Sequence, residues 1–182
     1  WNLGPTGVRG WMFSNKMETT DARQVYVTGV EQGSPADGVL VVGDVILGVA
    51  GKRFTFDPRT ELGKAIGVAE GGDGKLDLLR FRGGEVEDVS MKIKVMGRYS
   101  GTAPFDCEKS KRIFEEGCRA LAARMKADPK AGNGITRCLN ALALLSSGNA
   151  GYLPVIREQV EWAARYSDVE GKSLHAWFYG PV

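Results

Sequence analysis

Near residue 98 the spacing of the apolar residues changes, and this change divides the chain. Before it, apolar residues come in short runs bounded by glycine, aspartate or proline, which is typical of strands. After it, they recur every three or four residues, which is typical of helices. A chain of 182 residues is long enough for two domains. We therefore predict an α+β protein with domains at residues 1–97 and 107–182, joined by a linker over residues 98–106.

The apolar runs of the first half predict six strands, at residues 11–13, 25–30, 39–42, 45–49, 76–81 and 86–95. The segment from Arg82 to Glu85 contains two glycines and predicts a hairpin turn between the last two strands. Residues 58–70 interrupt this pattern with apolar residues at helical spacing. Because Pro58 begins that segment and Gly71 follows it, we predict one amphipathic helix there.

The second half predicts three helices, at residues 108–127, 135–146 and 153–166. The apolar stripe of the first runs through Phe114, Cys118, Leu121 and Met125. The second is apolar on nearly every side, which predicts a central, buried helix. The third carries an apolar face of Ile156, Val160 and Ala163.

Composition and charge exclude several classes of function. The net charge is +2 without a basic stripe, so no nucleic-acid partner is expected. No apolar run reaches 18 residues, so no membrane partner is expected. Three cysteines without a C-x-x-C motif predict no metal site, and they favour either buried thiols or one bridge between Cys118 and Cys138.

The sequence holds a single histidine, His175, and no Gly-x-Ser-x-Gly segment accompanies it. The sequence therefore contains no recognisable motif for a Ser-His-Asp relay. We expect no catalytic residues, no cofactor and no enzymatic activity of the chain itself.

One segment of the first half carries a family resemblance. The pattern Val27-x-x-Val30-x-x-Gly33-Ser34-Pro35-Ala36, followed by residues 42–51 (VGDVILGVAG), resembles the middle of a PDZ domain. In it, Ser34 and Pro35 are expected to begin a short helix. The resemblance covers residues 1–97 and is closest to the bacterial type attached to HtrA-like periplasmic proteases. It implies a partly open β-barrel with flanking helices and a periplasmic or secreted protein.

A PDZ domain binds an extended peptide, often a C-terminus, by adding it as a strand beside a helix. The resemblance places the carboxylate-binding loop within residues 6–13, in one of two registers. It implies a peptide-binding site formed by Val8, Arg9, Gly10, Trp11, Met12 and Phe13 together with Leu62, Ala65 and Ile66. The alternative is that Trp11 and Phe13 belong to the core and that Gly10 is an ordinary turn glycine.

The second half resembles the beginning of an α/α-toroid of the terpene-cyclase-like kind. Residues 133–135, 140–148 and 175–180 are similar to an uncharacterised bacterial family that couples a PDZ domain to helical-toroid repeats. The alternative is a bundle of three to four helices. We expect the natural protein to begin before Trp1 and to continue past Val182, with Trp177, Phe178 and Tyr179 packed on the helix at residues 153–166.

Three functions fit these expectations. The first is a monomeric, non-catalytic module that takes an extended peptide or a protein C-terminus by strand addition. The second is the regulatory N-terminal part of a larger enzyme with a catalytic α/α-toroid. The third is a structural module whose groove is filled by the chain itself, either by residues 98–106 or by residues 1–3.

Overall fold

The architecture comes from a computed structural model that describes residues 1–166. The chain divides into two compact units, Trp1–Thr102 and Ala103–Val182. The boundary between the units lies inside the segment over residues 98–106 that the sequence suggests as a linker. The predictions for His175, Trp177, Phe178 and Tyr179 lie outside the described residues.

Unit 1 is built on one antiparallel sheet of six strands in the order β1-β2-β3-β5-β6, with β4 paired to β3 alone. The strands are β1 Val8–Trp11, β2 Val25–Val30, β3 Val45–Val49, β4 Lys52–Arg53, β5 Lys75–Arg82 and β6 Glu85–Lys92. One helix, α1, covers Pro58–Glu70. The Asp57 carboxylate caps it by accepting the Arg59 N–H at 2.9 Å, and Pro58 occupies its first turn. With the helices of the second unit, this sheet confirms an α+β protein.

Several predicted elements are confirmed. Strands β2 and β3 and helix α1 have the bounds that the apolar runs and the punctuating residues indicate. Arg82 pairs with Glu85 at the end of the β5–β6 ladder. Gly83 and Gly84, between them, have φ of +61° and +94°, a conformation that two-residue hairpin turns require and glycine adopts without strain.

Four local predictions are wrong. Residues 39–42 form turns instead of a strand, with Val41 and Val42 exposed. Residues 34–36 form successive turns instead of a short helix, and the buried Ser34 hydroxyl has no hydrogen-bond partner. The first strand begins at Val8 rather than at residue 11, and β6 ends at Lys92 rather than at residue 95. In the three strand predictions, the run of apolar residues does not coincide with the backbone that the sheet pairs.

The core of unit 1 lies between the sheet and α1. Val8, Val25, Val27, Ile46 and Leu78 are at most 1% exposed. Leu62 and Ala69 of α1 join the same buried cluster, and Ala65 and Ile66 pack against it. The alternation of buried and exposed residues along β1 and β2 therefore turns one face of these strands toward this cluster.

The described part of unit 2 contains three helices, α2 Glu108–Ala127, α3 Gly134–Ser146 and α4 Leu153–Tyr166. Asn133 caps α3 by accepting the Thr136 N–H at 2.9 Å. The buried cluster of unit 2 contains residues from all three helices: Cys118, Ala122, Met125, Ala141, Leu144, Val155 and Ile156. None of the helices described within residues 1–166 is long and apolar enough to cross a membrane.

The helix bounds of unit 2 agree with the sequence patterns, but some of the faces do not. Helix α3 is not buried all round, because Leu139, Leu142 and Leu145 are 44–53% exposed. On α4, Val160 is exposed, whereas Val155 and Gln159 are buried. Phe114 on α2 is likewise exposed. Within residues 1–166, packing among the three described helices therefore covers only part of the apolar surface of each.

Of the two states suggested for the cysteines, buried thiols or a disulfide, the structure has thiols. Cys107, Cys118 and Cys138 are buried thiols that form no disulfide, so the suggested bridge between Cys118 and Cys138 is not made. A buried thiol packs as a small apolar side chain.

Candidate functional site

Strand β1 lies at one edge of the sheet, where it pairs with β2 on one side only. A bulge between Arg9 and Gly10 shifts its register against β2. Val8 and Gly10 are buried, whereas the side chains of Arg9 and Trp11 point outward and are exposed. An edge strand of this kind presents unpaired backbone groups to which another extended segment can add.

The side of β1 that faces away from β2 is paired with the first residues of the chain. The Leu3 N–H donates to the Val8 carbonyl at 2.9 Å, and the Gly10 N–H donates to the Trp1 carbonyl at 2.9 Å. The Trp1 nitrogen donates to the Gly10 carbonyl at 2.8 Å. Asn2 and Arg9 form an antiparallel bridge between these bonds. Residues 1–3 therefore lie on β1 as a short additional strand, which we call the N-terminal segment.

The side chains of the N-terminal segment are placed at two different depths. Leu3 is 6% exposed and belongs to the buried cluster of unit 1. Gly10 opposite it is closely packed by Val25, since a Cβ at that position would lie 2.4 Å from Val25 Cγ1. The guanidinium carbon of Arg59 lies 4.3 Å from the centre of the Trp1 ring, a cation–π arrangement. Because Arg59 is on α1, the segment lies between β1 and the first turn of that helix.

The turn that joins the segment to β1 is fixed by its own hydrogen bonds. The Thr6 hydroxyl donates to the Leu3 carbonyl at 3.0 Å and accepts the Val8 N–H at 3.2 Å. The Gly7 N–H donates to the Gly4 carbonyl at 3.4 Å. The N–H groups of Gly7, Val8 and Gly10 thus all have partners inside the chain. A carboxylate bound at this turn would have to replace those partners.

The residues suggested as a peptide site divide into two sets. Val8, Met12 and Leu62 are at most 3% exposed and belong to one buried cluster, against which Ala65 and Ile66 pack. Of the other four, Arg9, Trp11 and Phe13 are exposed, whereas Gly10 is buried within β1.

The alternative in which Trp11 and Phe13 are core residues and Gly10 is a turn glycine is wrong. Trp11 is 58% and Phe13 is 52% exposed. The outward position of Trp11 follows from the alternation along β1, in which every second side chain turns away from the core.

Sequence reasoning missed Arg59, and it named residues 1–3 only as one possible occupant of the groove. A signal was available in the turn sequence from Gly4 to Gly7, with apolar Leu3 and Val8 directly on either side. Gly-Pro and a following glycine between apolar residues are typical of a chain reversal. A depression of about 400 Å³ opens beside this turn, and the oppositely charged Arg9 and Glu31 both line it.

A further charged pair of unit 1 joins Asp44, which precedes β3, to Arg82 at the end of β5. Asp44 is 1% exposed, and Arg82 reaches it with Nε at 2.6 Å from Oδ1 and Nη2 at 2.8 Å from Oδ2. Burial raises the pKa of Asp44. The hydrogen bonds from Arg82 and from the Val41 N–H, with the charges of Arg82 and Arg80, outweigh this and lower the pKa below its usual 3.8. The pair ties β5 to the loop before β3, which is a structural role.

No group of three or more His, Cys, Asp or Glu side chains in residues 1–166 is arranged to hold a metal ion. Residues 1–166 thus form an α+β unit whose β1 edge is occupied, followed by three helices of a second unit.

Residues 110–182 match the family model DUF6288, which is described as a domain of unknown function. That match covers less than half of the chain. A search of curated proteins finds no match. Among solved structures, the chain is similar to the HtrA-type protease AlgW with a decapeptide, at 22% sequence identity and a TM-score of 0.37. The similarity covers 54% of this chain and 30% of that one.

Proposed function

We propose that unit 1 is a PDZ-like module that binds an extended peptide by adding it as a strand to β1. The observation that carries the proposal is the N-terminal segment itself. It shows that the outer edge of β1 accepts an extended chain, with three backbone hydrogen bonds to Val8 and Gly10. Strand addition at a sheet edge beside a helix is a recurrent mode of peptide recognition.

The geometry of the segment describes the ligand. The peptide would run antiparallel to β1, and alternate side chains would face inward and outward. The inward position is the one that Leu3 fills at 6% exposure, so it suits an aliphatic side chain. Arg59 at the rim suits an aromatic side chain two positions earlier. A protein C-terminus or an internal segment could supply this pattern.

Competition with the N-terminal segment sets the affinity. A ligand binds only the fraction of molecules in which the segment has left the edge, so its apparent Kd is the intrinsic Kd divided by that fraction. Few side chains are bound, and most of the interaction is backbone pairing. We therefore expect an intrinsic Kd in the micromolar range, about 1–100 μM, and a weaker apparent Kd for the intact chain.

A second candidate is a structural module in which the edge is permanently filled. The occupation of the β1 edge by residues 1–3 favours it, and the two Thr6 hydroxyl bonds fix the turn between Leu3 and Val8. In that case the segment protects an edge strand from unwanted pairing, which is a common need of open sheets. The absence of hydrolase activity is part of both candidates.

Substitution of Leu3 separates these candidates. Leu3→Ser removes the buried anchor of the segment and should weaken its hold on β1 by about 2 kcal/mol or more. Asn2→Ser is the matched control, because Asn2 is exposed and serine can also accept the Gly4 N–H that the Asn2 Oδ1 accepts at 3.0 Å. Both variants are compared with the unchanged chain by circular dichroism to establish that the fold is kept.

The probes are the peptide Trp-Asn-Leu-Gly as an acid and as an amide, titrated while backbone amide shifts are recorded. We expect shifts at Val8 and Gly10, with an affinity at least about tenfold higher for Leu3→Ser than for the unchanged chain and Asn2→Ser. Equal binding of acid and amide would indicate that no free carboxylate is needed. If a folded Leu3→Ser variant binds neither peptide at millimolar concentration, peptide binding is wrong and the structural module is favoured.

A further inference from the structure

Unit 2 contains a cation in its interior. Arg137 on α3 is only 7% exposed. Its Nε donates to the Gln159 Oε1 at 2.8 Å, and its guanidinium carbon lies 3.5 Å from the centre of the Trp162 ring. Gln159 is itself 2% exposed and is oriented by the bond from its Nε2 to the Pro129 carbonyl at 3.2 Å. Helix α4 therefore holds the guanidinium from two sides with neutral groups.

The charge of Arg137 is not balanced by these contacts. Taking a charged group out of water costs several kcal/mol unless an opposite charge and hydrogen bonds compensate. Among residues 1–166, no ion pair with a carboxylate includes Arg137. Gln159 accepts from one of the five N–H donors that a guanidinium carries, and the Trp162 ring is a neutral face.

Arg137 lines a cavity of about 290 Å³ in unit 2, close to the lower end of small-molecule sites. A second cation, Arg124 of α2, also lines this cavity, and the Asn140 side chain adds an amide to the lining. The acidic side chain in the lining is Asp128, whose Oδ1 accepts the Lys130 N–H at 3.2 Å. Two guanidinium groups against one carboxylate leave the lining positively charged.

We propose that this cavity binds a small oxyanion, a carboxylate or a phosphate, against Arg137 and Arg124. A guanidinium matches both kinds of anion with two parallel N–H donors, and such charge-assisted bonds are the strongest that side chains form. Gln159 and Trp162 orient Arg137, so that the donor fork is fixed before the anion arrives. The lining residues all belong to unit 2, so this proposal does not rest on the one made for unit 1.

The test uses the full chain and follows the Nε–H signal of Arg137 and the indole N–H signal of Trp162 by NMR. Inorganic phosphate and citrate are titrated separately, against sodium chloride at the same ionic strength. We expect saturable shifts of both signals with at least one of the two anions and none with chloride. Saturation by phosphate alone or by citrate alone identifies which chemistry the site prefers.

Substitutions identify the residues that bind. Arg124→Gln should weaken the anion affinity by about tenfold, which is the loss of one charge-assisted contact. Arg137→Lys keeps the charge but loses the planar fork, and should weaken it by a similar factor. Arg119→Gln on the exposed part of α2 is the matched control and should leave the affinity unchanged. The proposal is overturned if neither anion gives saturable shifts, or if Arg124→Gln and Arg119→Gln behave alike.

Discussion

The side chain of Asp44 explains why residues 39–42 form a loop and not the predicted strand. The apolar residues at 39–42 suggest a strand, but the Asp44 Oδ2 accepts the Val41 N–H at 2.9 Å and holds this segment as a loop. Arg82 then neutralises the buried carboxylate through two hydrogen bonds. Breaking such a pair leaves a buried charge, which is more costly than the pair is stabilising.

Arg82→Gln should lower the free energy of unfolding at pH 7, because it removes the main partner of the buried Asp44 carboxylate. The folded-state pKa of Asp44 is depressed, so the stabilisation is present above the unfolded-state pKa of about 3.9 and is lost as the pH falls through the folded-state value. The difference between variant and unchanged chain should therefore narrow below about pH 4. Urea unfolding at pH 7 and pH 3 measures it.

Lys92→Gln is the control for this measurement. Lys92 also pairs with an aspartate, Asp73, but the two side chains are 69% and 72% exposed. A solvent-exposed pair contributes less than about 1 kcal/mol. Equal losses in the two variants at pH 7 would contradict the role given to the buried pair.

Helix bounds and helix faces differ in how well the sequence predicts them. The bounds of α2 and α4 follow from residue spacing and from local punctuation, which depend only on neighbours in sequence. The buried face of α3 depends on which helices lie beside it, and an almost wholly apolar sequence carries no mark of that. Leu144 is fully buried, whereas Leu145 beside it is 53% exposed.

Alanine substitutions at these two adjacent leucines test the assignment of the α3 face. Leu144→Ala should lower the free energy of unfolding of unit 2 by about 2–5 kcal/mol, because it opens a cavity in the buried cluster. Leu145→Ala should change it by less than about 1 kcal/mol, since the side chain already lies largely in water. Helix propensity is the same for the two substitutions, so each serves as the control for the other. Similar losses measured by denaturant unfolding would show that the exposed face is covered in solution.

The register of the strands, like the buried face of α3, is set by contacts between residues far apart in sequence. Successive strand partners place Trp11, Tyr26, Val45, Phe81 and Val86 opposite one another across five strands. Partners in direct register share a face, so these residues form one apolar row on the outer side of the sheet. The sequence shows the runs that contain them, but the register that aligns them depends on long-range pairing.

At the scale of the whole molecule, the change in apolar spacing near residue 98 predicts two domains, because each kind of element imposes its own period. The occupied edge of β1 was harder to predict. Pairing of residues 1–3 with β1 depends on backbone hydrogen bonds, which leave no periodic pattern in the sequence. The interior position of Arg137 was missed for a related reason, since a single arginine on an apolar helix gives no sign of the glutamine and tryptophan that surround it.

The two buried clusters share no residue, and this predicts two separate unfolding transitions. Leu78 is 1% exposed in the cluster of unit 1, and Leu144 is fully buried in that of unit 2. Each alanine substitution should lower the stability of its own unit by about 2–5 kcal/mol. The effects in the double variant should add to within about 0.5 kcal/mol, because the sites share no partners. Amide signals from each unit, followed through a urea titration, measure the two midpoints in one sample.

Val68→Ala, at a 70% exposed position on α1, controls for substitution itself and should move neither midpoint. If Leu78→Ala and Leu144→Ala each lower both midpoints equally, the chain unfolds as one cooperative body and the division into units has no energetic counterpart.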